Sequence, residues 1–519
     1  MGSAHRYVAI IGNSDAIDSF VSGKPLALVR EYPSRFYDER PKDYFTGPLP
    51  QELKIKLYEV TELAAGPVLS QLKNQILTTA GSNNPLAGEI SDLEWLSYMP
   101  GEVLLGDEVG GAKIIALLDR AGLLSLVERK GRRCNLIFGR RGPRRRHIRV
   151  YDTGGRQVRD VLEAIRAVWA DPNVTAEEAD RAVRQVYVSP NYVTASAQGY
   201  IAGSPFGMKK GAPTPPVVLG QLSPPERNVW VGVFDTMPQS MAGIVDMPGF
   251  AAGLNTIPFD LPAQLPMGGQ FVPGHGTVIA HLIKRRAPTA NAFLVRVMNE
   301  TAVGRTSDLL KAMLKFIRRV REVDRAADVH SRIVFNLSLV IQLGNPQKNG
   351  LVDWVLDGLT RAGVTIVAAA GNDSAYSDHP EFMPLPAAHQ KVIGVAATTL
   401  AGQIACYSNA GDVAAFGGGV ARDYESEQPV ACKPTAGESA NASDQEMAAK
   451  FMAGWDPTSA STQFSWSMGT SFAAPIVAGV VADFIATAPM LPTPTEIRHY
   501  LEGVAQPNND PNLSVGIIV

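Results

Sequence analysis

Four short stretches of the chain hold residues whose types suit acyl-transfer chemistry. Asp235 closes the apolar run from Val229 to Phe234, and His275 sits in Pro273-Gly274-His275-Gly276-Thr277. An imidazole with an unperturbed pKa of about 6.5 can take a hydroxyl proton and hand it to a leaving amine. Ser471 lies in Ser467-Met468-Gly469-Thr470-Ser471-Phe472-Ala473-Ala474-Pro475, ahead of the helical, small-residue pattern of Val477, Ala478, Gly479 and Val480. A serine in a helix's first turn either caps the helix or acts as a nucleophile whose own backbone N–H faces a developing oxyanion. Asn372 ends Ala368-Ala369-Ala370-Gly371-Asn372, a strand running into a turn, where a side-chain amide could be a second oxyanion donor.

Each residue alone has an ordinary structural reading: a carboxylate at a sheet edge, a histidine in a glycine turn, an N-cap, a turn amide. Their combination is more specific. In the chain order Asp, His, Asn, Ser, each at a strand end or helix start, they supply orienting acid, base, oxyanion donor and nucleophile.

Elements able to position these groups recur from Val229 onward. Apolar runs at Val229 to Phe234, Ala292 to Val297, Ile333 to Leu337, Val364 to Ala369 and Val392 to Ala397 predict strands buried on both faces. Helical patterns at Ser307 to Val323 and Leu351 to Ala362 alternate with them, which predicts an α/β domain with a mainly parallel sheet covered by helices on both faces. Functional groups of such folds gather at the carboxyl ends of the strands.

Together these motifs resemble the subtilisin-like serine proteases, or subtilases, over roughly 229–519. The resemblance is carried by Val233-Phe234-Asp235-Thr236, Gly274-His275-Gly276-Thr277, Asn336-Leu337-Ser338-Leu339, Ala369-Ala370-Gly371-Asn372 and the Ser471 string, with Tyr407-Ser408-Asn409-Ala410-Gly411 and a closing helix at Thr495 to Leu501 as secondary matches. It implies a three-layer subtilisin-like domain and a serine endopeptidase. Ser471 would be the nucleophile, His275 the general base and acid, Asp235 its orienting partner, and Asn372 with the Ser471 N–H the oxyanion donors. It also implies a groove with Ser338, Leu339 and Val340 as an edge for extended peptide and Ala369, Ala370 and Gly371 as the opposite wall. Met237, Val340, Ile476 and Phe416-Gly417 depart from the family pattern; none removes a catalytic atom, and Val340 would narrow the groove upstream of the scissile bond. The competing reading is a catalytically silent fold that binds peptides as a scaffold. No cofactor is expected; structural calcium is common in the family, but no acidic string here assigns ligands.

Upstream, strand and helix signals between Glu102 and Val188 follow the order βαββαβ, a ferredoxin-like α+β pattern. By the same resemblance this looks like a propeptide that inhibits the enzyme until autoprocessing within 194–225; a permanent docking module is the alternative. The expected organisation is an N-terminal extension at 1–101, the propeptide-like domain at 102–194, a Pro/Gly-rich linker at 195–228 and the catalytic domain at 229–519. Within the extension, amphipathic helices are expected at Pro50 to Ala64 and Val68 to Leu77.

The composition of the 519 residues narrows the rest. A net charge of -2 gives no global pull toward nucleic acid or anionic lipid. The arginines from Arg132 to Arg149 read as a solvated hairpin tip or a contact for an acidic partner such as the loop from Glu425 to Glu446, because base-stacking aromatics are scarce there. Protein or peptide substrates are therefore the expected partners. Cys134, Cys406 and Cys432 fit neither a disulfide framework nor a zinc site, and no secretory signal or membrane-length stretch is read. These points lead to an expected cytoplasmic location.

Overall fold

The computed structural model describes residues 7–13, 18–19, 21–23, 26–32, 53–60, 98–107, 111–128, 134–138, 144–156, 158–170, 186–196, 209–211, 226–236, 255–257, 275–298, 302–341, 350–372, 374, 383–399, 402–418, 453–455, 464–466, 469–506 and 516–518. Its first sheet comprises β1 (Tyr7–Asn13), β2 (Leu26–Tyr32) and β3 (Leu53–Val60) in the antiparallel order β1-β3-β2. The helix expected at Pro50 to Ala64 is thus corrected to a strand. Leu53, Ile55 and Leu57 alternate with Lys54 and Lys56, and that period of two belongs to a strand with one buried face. The helix expected at Val68 to Leu77 lies outside the described residues.

A second unit follows: β4 (Tyr98–Asp107), α1 (Ala112–Arg120), β5 (Val127–Glu128), β6 (Cys134–Phe138), β7 (Arg144–Asp152), α2 (Val158–Ala170) and β8 (Tyr187–Ser196). Strand β4 lies between β7 and β8, with β6 on the far side of β7, and all these neighbours are antiparallel. Helices α1 and α2 cover the sheet through Ile114, Leu117, Val161 and Ile165, packed in one cluster with Val103, Leu105 and Val150.

Strand β9 (Lys209–Gly211) occurs where the sequence suggested an irregular linker, and it pairs antiparallel with a strand from just ahead of the serine motif. Its partner is β20 (Phe464–Trp466), which also pairs with β19 (Ala453–Trp455). No short-range periodicity marks a three-residue strand whose hydrogen bonds go to residues far away in sequence.

The remaining strands are β10 (Trp230–Asp235), β11 (Asn255–Ile257), β12 (Asn291–Arg296), β13 (Val303–Arg305), β14 (Ile333–Leu337), β15 (Leu339–Ile341), β16 (Thr365–Ala369), β17 (Ile393–Thr398), β18 (Val413–Phe416) and β21 (Ile517–Ile518). Eight of them form one sheet, ordered β11-β12-β10-β14-β16-β17-β18-β21, and every paired neighbour in it is parallel. This is the mainly parallel α/β sheet that the apolar runs predict. Helices α3 (His275–Arg286) and α6 (Thr470–Thr487) pack in the cluster on one face, while α4 (Thr306–Val323) and α5 (Gly350–Ala362) pack on the other. Helix α7 (Pro494–Val504) begins at a capping box between Thr493 and Glu496.

Helix α6 corrects a second expectation, because by length and composition it could cross a membrane. It is 78% buried inside the protein instead, held against α3 and the sheet by residues such as Ala473, Ala474 and Ala478. A helix that is apolar all round is what burial on all sides demands.

Cys406 is disulfide-bonded, which corrects the reading that the cysteines fit no disulfide framework and removes one of the points behind the expected cytoplasmic location. With three cysteines in the chain, one intact bridge leaves one thiol. Thiol titration of unreduced, denatured protein should therefore find one free thiol per chain, rising to three after reduction.

Candidate active site

Asp235 is the last residue of β10, at the carboxyl edge of the sheet, and His275 is the first residue of α3. Asp235 Oδ1 lies 2.8 Å from His275 Nδ1 and also accepts the Thr236 N–H at 2.7 Å. The carboxylate thus favours the tautomer with the proton on Nδ1, which leaves Nε2 as the acceptor. Phe472 meets the imidazole edge-on, with ring centroids 5.3 Å apart, and limits its tilt. Among the described residues His275 Nε2 has no hydrogen-bond partner. On the same helix, burial and then Arg285 push His281 down to about 4, so it stays neutral near physiological pH.

Gly276 explains how α3 can start so close to β10. A Cβ there would run into the Thr236 carbonyl and come 2.7 Å from Asp235 Cβ. The glycine next to the histidine therefore serves helix-to-strand packing, in addition to any approach of a ligand. Gly276→Ala should displace the imidazole from Asp235, and a misplacement of about 1 Å costs roughly 10²-fold in rate. Comparing kcat of this variant with wild type on the same peptide checks the effect, and a melting curve separates it from unfolding.

Ser471 is the second residue of α6. Its Oγ donates to the Ser338 carbonyl at 3.3 Å, while the Ser338 hydroxyl donates to the Ser471 carbonyl at 2.7 Å and accepts from Asn336 Nδ2 at 3.0 Å. These bonds tie the serine helix to the junction of β14 and β15, so Asn336 and Ser338 position the site.

Asn372 follows β16 and is held by its amide oxygen, which accepts from the Thr470 N–H at 3.0 Å and the Thr470 hydroxyl at 2.9 Å. Those two donors fix the amide's orientation. They turn Nδ2 toward Gly469, where a Cβ would come within 3.2 Å of it, and Gly469 has the φ of +143° that L side chains rarely adopt. Asn409 braces the same turn, its Nδ2 donating to the Ala370 carbonyl at 3.0 Å and its Oδ1 accepting from the Ser374 N–H at 2.9 Å. Tyr407 contributes from beneath, its hydroxyl lying 2.9 Å from the Gly417 carbonyl. The Tyr407-Ser408-Asn409 motif thus acts at a distance, by shaping the turn that carries Asn372.

The predicted groove residues separate in space. Leu339 and Val340 lie on β15, whose outer edge pairs antiparallel with β8: Leu339 faces Ser196, Val340 faces Ala195 and Ile341 faces Thr194. The other edge of β8 pairs with β13, with Gly304 facing Thr194. Sequence reasoning missed β13, because a three-residue strand of Val303, Gly304 and Arg305 has no periodicity to detect. Ala369 and Ala370 are fully buried beside β17, and Gly371 takes φ +99° and donates its N–H to the Thr470 hydroxyl at 3.1 Å. Asp235, His275, Asn372 and Ser471 are each at most 1% exposed, so the site is closed to solvent in this form.

The second unit is fastened to the large sheet nearby. Asn191 of β8 accepts the Ser307 N–H through Oδ1 at 3.0 Å, capping α4, whose own N-cap residue Arg305 offers no side-chain cap. Asn191 Nδ2 donates to Glu102, and Arg305 bridges Glu102 at 3.4 Å and Asp308 at 2.7 Å. Tyr187 stacks on Trp354 of α5 at 4.6 Å between ring centroids.

Among the described residues no group of three His, Cys, Asp or Glu side chains could hold a metal ion.

Comparison with known families agrees with the fold: residues 265–516 match the model described as Subtilase family. This part of the chain is similar to the subtilase family. The match begins downstream of Asp235. A curated relative, the "Extracellular protease" of Xanthomonas campestris pv. campestris, is 32% identical over 154 residues, or 29% of this chain. The chain spans 21% of that relative's length. Among solved structures, fervidolysin from Fervidobacterium pennivorans, a keratinolytic enzyme related to subtilisin, aligns with 81% of this chain and 60% of its own at 16% identity and a TM-score of 0.47. The protease domain of PatA aligns with 58% of this chain and 95% of its own at 20% identity and a TM-score of 0.38.

Proposed function

We propose that this protein is a serine endopeptidase in which Ser471 attacks a peptide carbonyl, His275 relays the proton, Asp235 orients the imidazole, and Asn372 with the Ser471 N–H binds the oxyanion. The observation that carries the reading is the buried Asp235–His275 contact of 2.8 Å at the sheet edge where α6 delivers Ser471. The Ser471 hydroxyl bonds the Ser338 carbonyl in this structure, so it must leave that bond to give its proton to Nε2. Reaction with a fluorophosphonate, which labels activated serines, tests this directly: labelling of wild type that is lost in Ser471→Ala supports it. An unlabelled wild type that binds peptides without cutting them would favour the scaffold reading instead.

Asn372→Ala should lower kcat by about 10²–10³-fold while leaving KM within a few-fold, because an oxyanion donor acts chiefly in the transition state. Steady-state kinetics on one peptide substrate measure both.

Residues 98–196 act, in this proposal, as a ferredoxin-like propeptide and intramolecular inhibitor. The support is their antiparallel order β8-β4-β7-β6 and the seating of β8 along β15.

A further inference from the structure

Arg296 ends β12 at the carboxyl edge of the sheet, opposite Asp235 in the parallel ladder between β10 and β12. Neighbouring strands lie about 4.8 Å apart, and side chains alternate between the two faces along each strand. Val231 and Val233, which share a face with Asp235, pack in one cluster with Ala292 and Leu294, which share a face with Arg296, and with Val278 and Ile279 of α3. Both charged residues therefore lie on the face that α3 covers. Gly276 agrees, because a Cβ there would come 2.7 Å from Asp235 Cβ and 2.8 Å from Leu294 Cδ1, so the first turn of α3 spans both strands. Just past Arg296, the Val297 N–H donates to the Asp235 carbonyl at 2.9 Å and holds the two strand ends together.

Among the described residues, two buried polar atoms in this corner have no hydrogen-bond partner. Asp235 Oδ1 is occupied by His275 and the Thr236 N–H while Oδ2 is unused, and Arg296 Nε is unused as well. An ionised carboxylate at 0% exposure is costly unless nearby charge compensates it. Of the described neighbours, β14 brings only the uncharged Asn336 to this edge, and α6 brings Ser471 and Phe472. The other charged groups on the packed elements are farther off. On α3, His281 lies about 9 Å along the axis from His275 and is neutral, pushed down to about 4, with Lys284, Arg285 and Arg286 beyond it. Asp483 is about 18 Å along α6 from Ser471, and Arg305 is engaged by Glu102 and Asp308. Arg296 is the cation in position to act on the couple.

We propose that Arg296 is a positioning residue for catalysis, whose fixed positive charge compensates Asp235, opposes the charging of His275, and so sets the acid limit below which the couple no longer serves as a base. This rests on the peptidase reading and adds to it the residue that tunes its pH range. The guanidinium stays charged at every pH at which the enzyme folds, so its effect is constant. Its removal lets the imidazolium form more readily, and the base is then lost at a higher pH. A unit charge roughly 9 Å away, at an effective dielectric between those of protein surface and water, moves such a titration by about half a pH unit.

The test is the pH dependence of kcat/KM on a blocked peptide without ionisable side chains, for wild type, Arg296→Met and Arg296→Lys, with the rate of fluorophosphonate labelling followed over the same range. The acid limb of Arg296→Met should lie about half a pH unit above that of wild type, so that on the limb its kcat/KM, taken relative to its own plateau, is about threefold lower. Arg296→Lys should restore the limb, and labelling should follow the same curves because it needs the same base. A limb that stays in place in an active Arg296→Met overturns the proposal and leaves the peptidase reading standing, even where the plateau falls, since lost packing lowers the plateau without moving the limb. A limb that moves as far in Arg296→Lys overturns it too, because shape and not charge would then be responsible. If Arg296→Met fails to fold, Arg296→Gln removes the same charge and carries the same expectation. A wild type that neither takes the label nor hydrolyses the peptide overturns the peptidase reading and this proposal together.

Discussion

Ser471→Ala should reduce kcat by about 10⁶-fold, the largest effect expected of any single substitution in this chain. The hydroxyl is the only atom removed, and alanine is at least as good a helix former in the first turn of α6. The Asn372 and Thr470 contacts stay in place because neither involves Ser471 Oγ. What is lost besides the nucleophile is a 3.3 Å hydrogen bond to the Ser338 carbonyl, long for O–H···O. The melting temperature should therefore move by only a few degrees while turnover collapses. Residual hydrolysis at roughly 10³–10⁴ over the uncatalysed rate would reflect the oxyanion donors and substrate binding. Single-turnover kinetics beside a melting curve measure both, and a variant retaining a tenth of wild-type activity would remove Ser471 from the nucleophile's role.

Asp235→Asn should cost about 10⁴-fold in kcat with the fold intact. The carboxylate accepts from His275 Nδ1 and from the Thr236 N–H at once, both through Oδ1. An amide placed there can turn its NH₂ toward Nδ1, which moves the ring proton to Nε2 and leaves no base facing Ser471. It also removes the negative charge that stabilises an imidazolium. His275 and Asp235 are both buried, so water cannot replace either contribution. Kinetics on the variant check the loss, and fluorophosphonate labelling should slow in parallel because it needs the same base. A variant that loses turnover but labels at the wild-type rate would show Asp235 acting elsewhere than through the imidazole.

Glu102, Arg305 and Asp308 form a buried charged cluster under β8, and such clusters contribute more to how two surfaces fit than to net stability. Their place beside the Asn191 cap makes them part of what fixes the register of β8 against β13 and β15.

The parallel strands were legible because burial on both faces leaves a continuous apolar run, and the Ile333 to Leu337 strand appears with the same bounds in the structure. The four chemistry-bearing motifs were legible because each joins a reactive residue to glycines or small residues that local geometry requires. Leu53 to Val60 was misread as helix although its alternation was visible, since a strand in a small sheet needs only one apolar face. The sequence by itself therefore determined the α/β rhythm, the residue types of the site and their order along the chain. Tertiary structure alone decided that Asp235 and His275 meet, that Thr470 orients Asn372, and that β8 lies between β13 and β15 in one register. Periodicity records which face of an element is buried. It carries no information about which distant strand supplies the hydrogen bonds, and in this protein those pairings close the site.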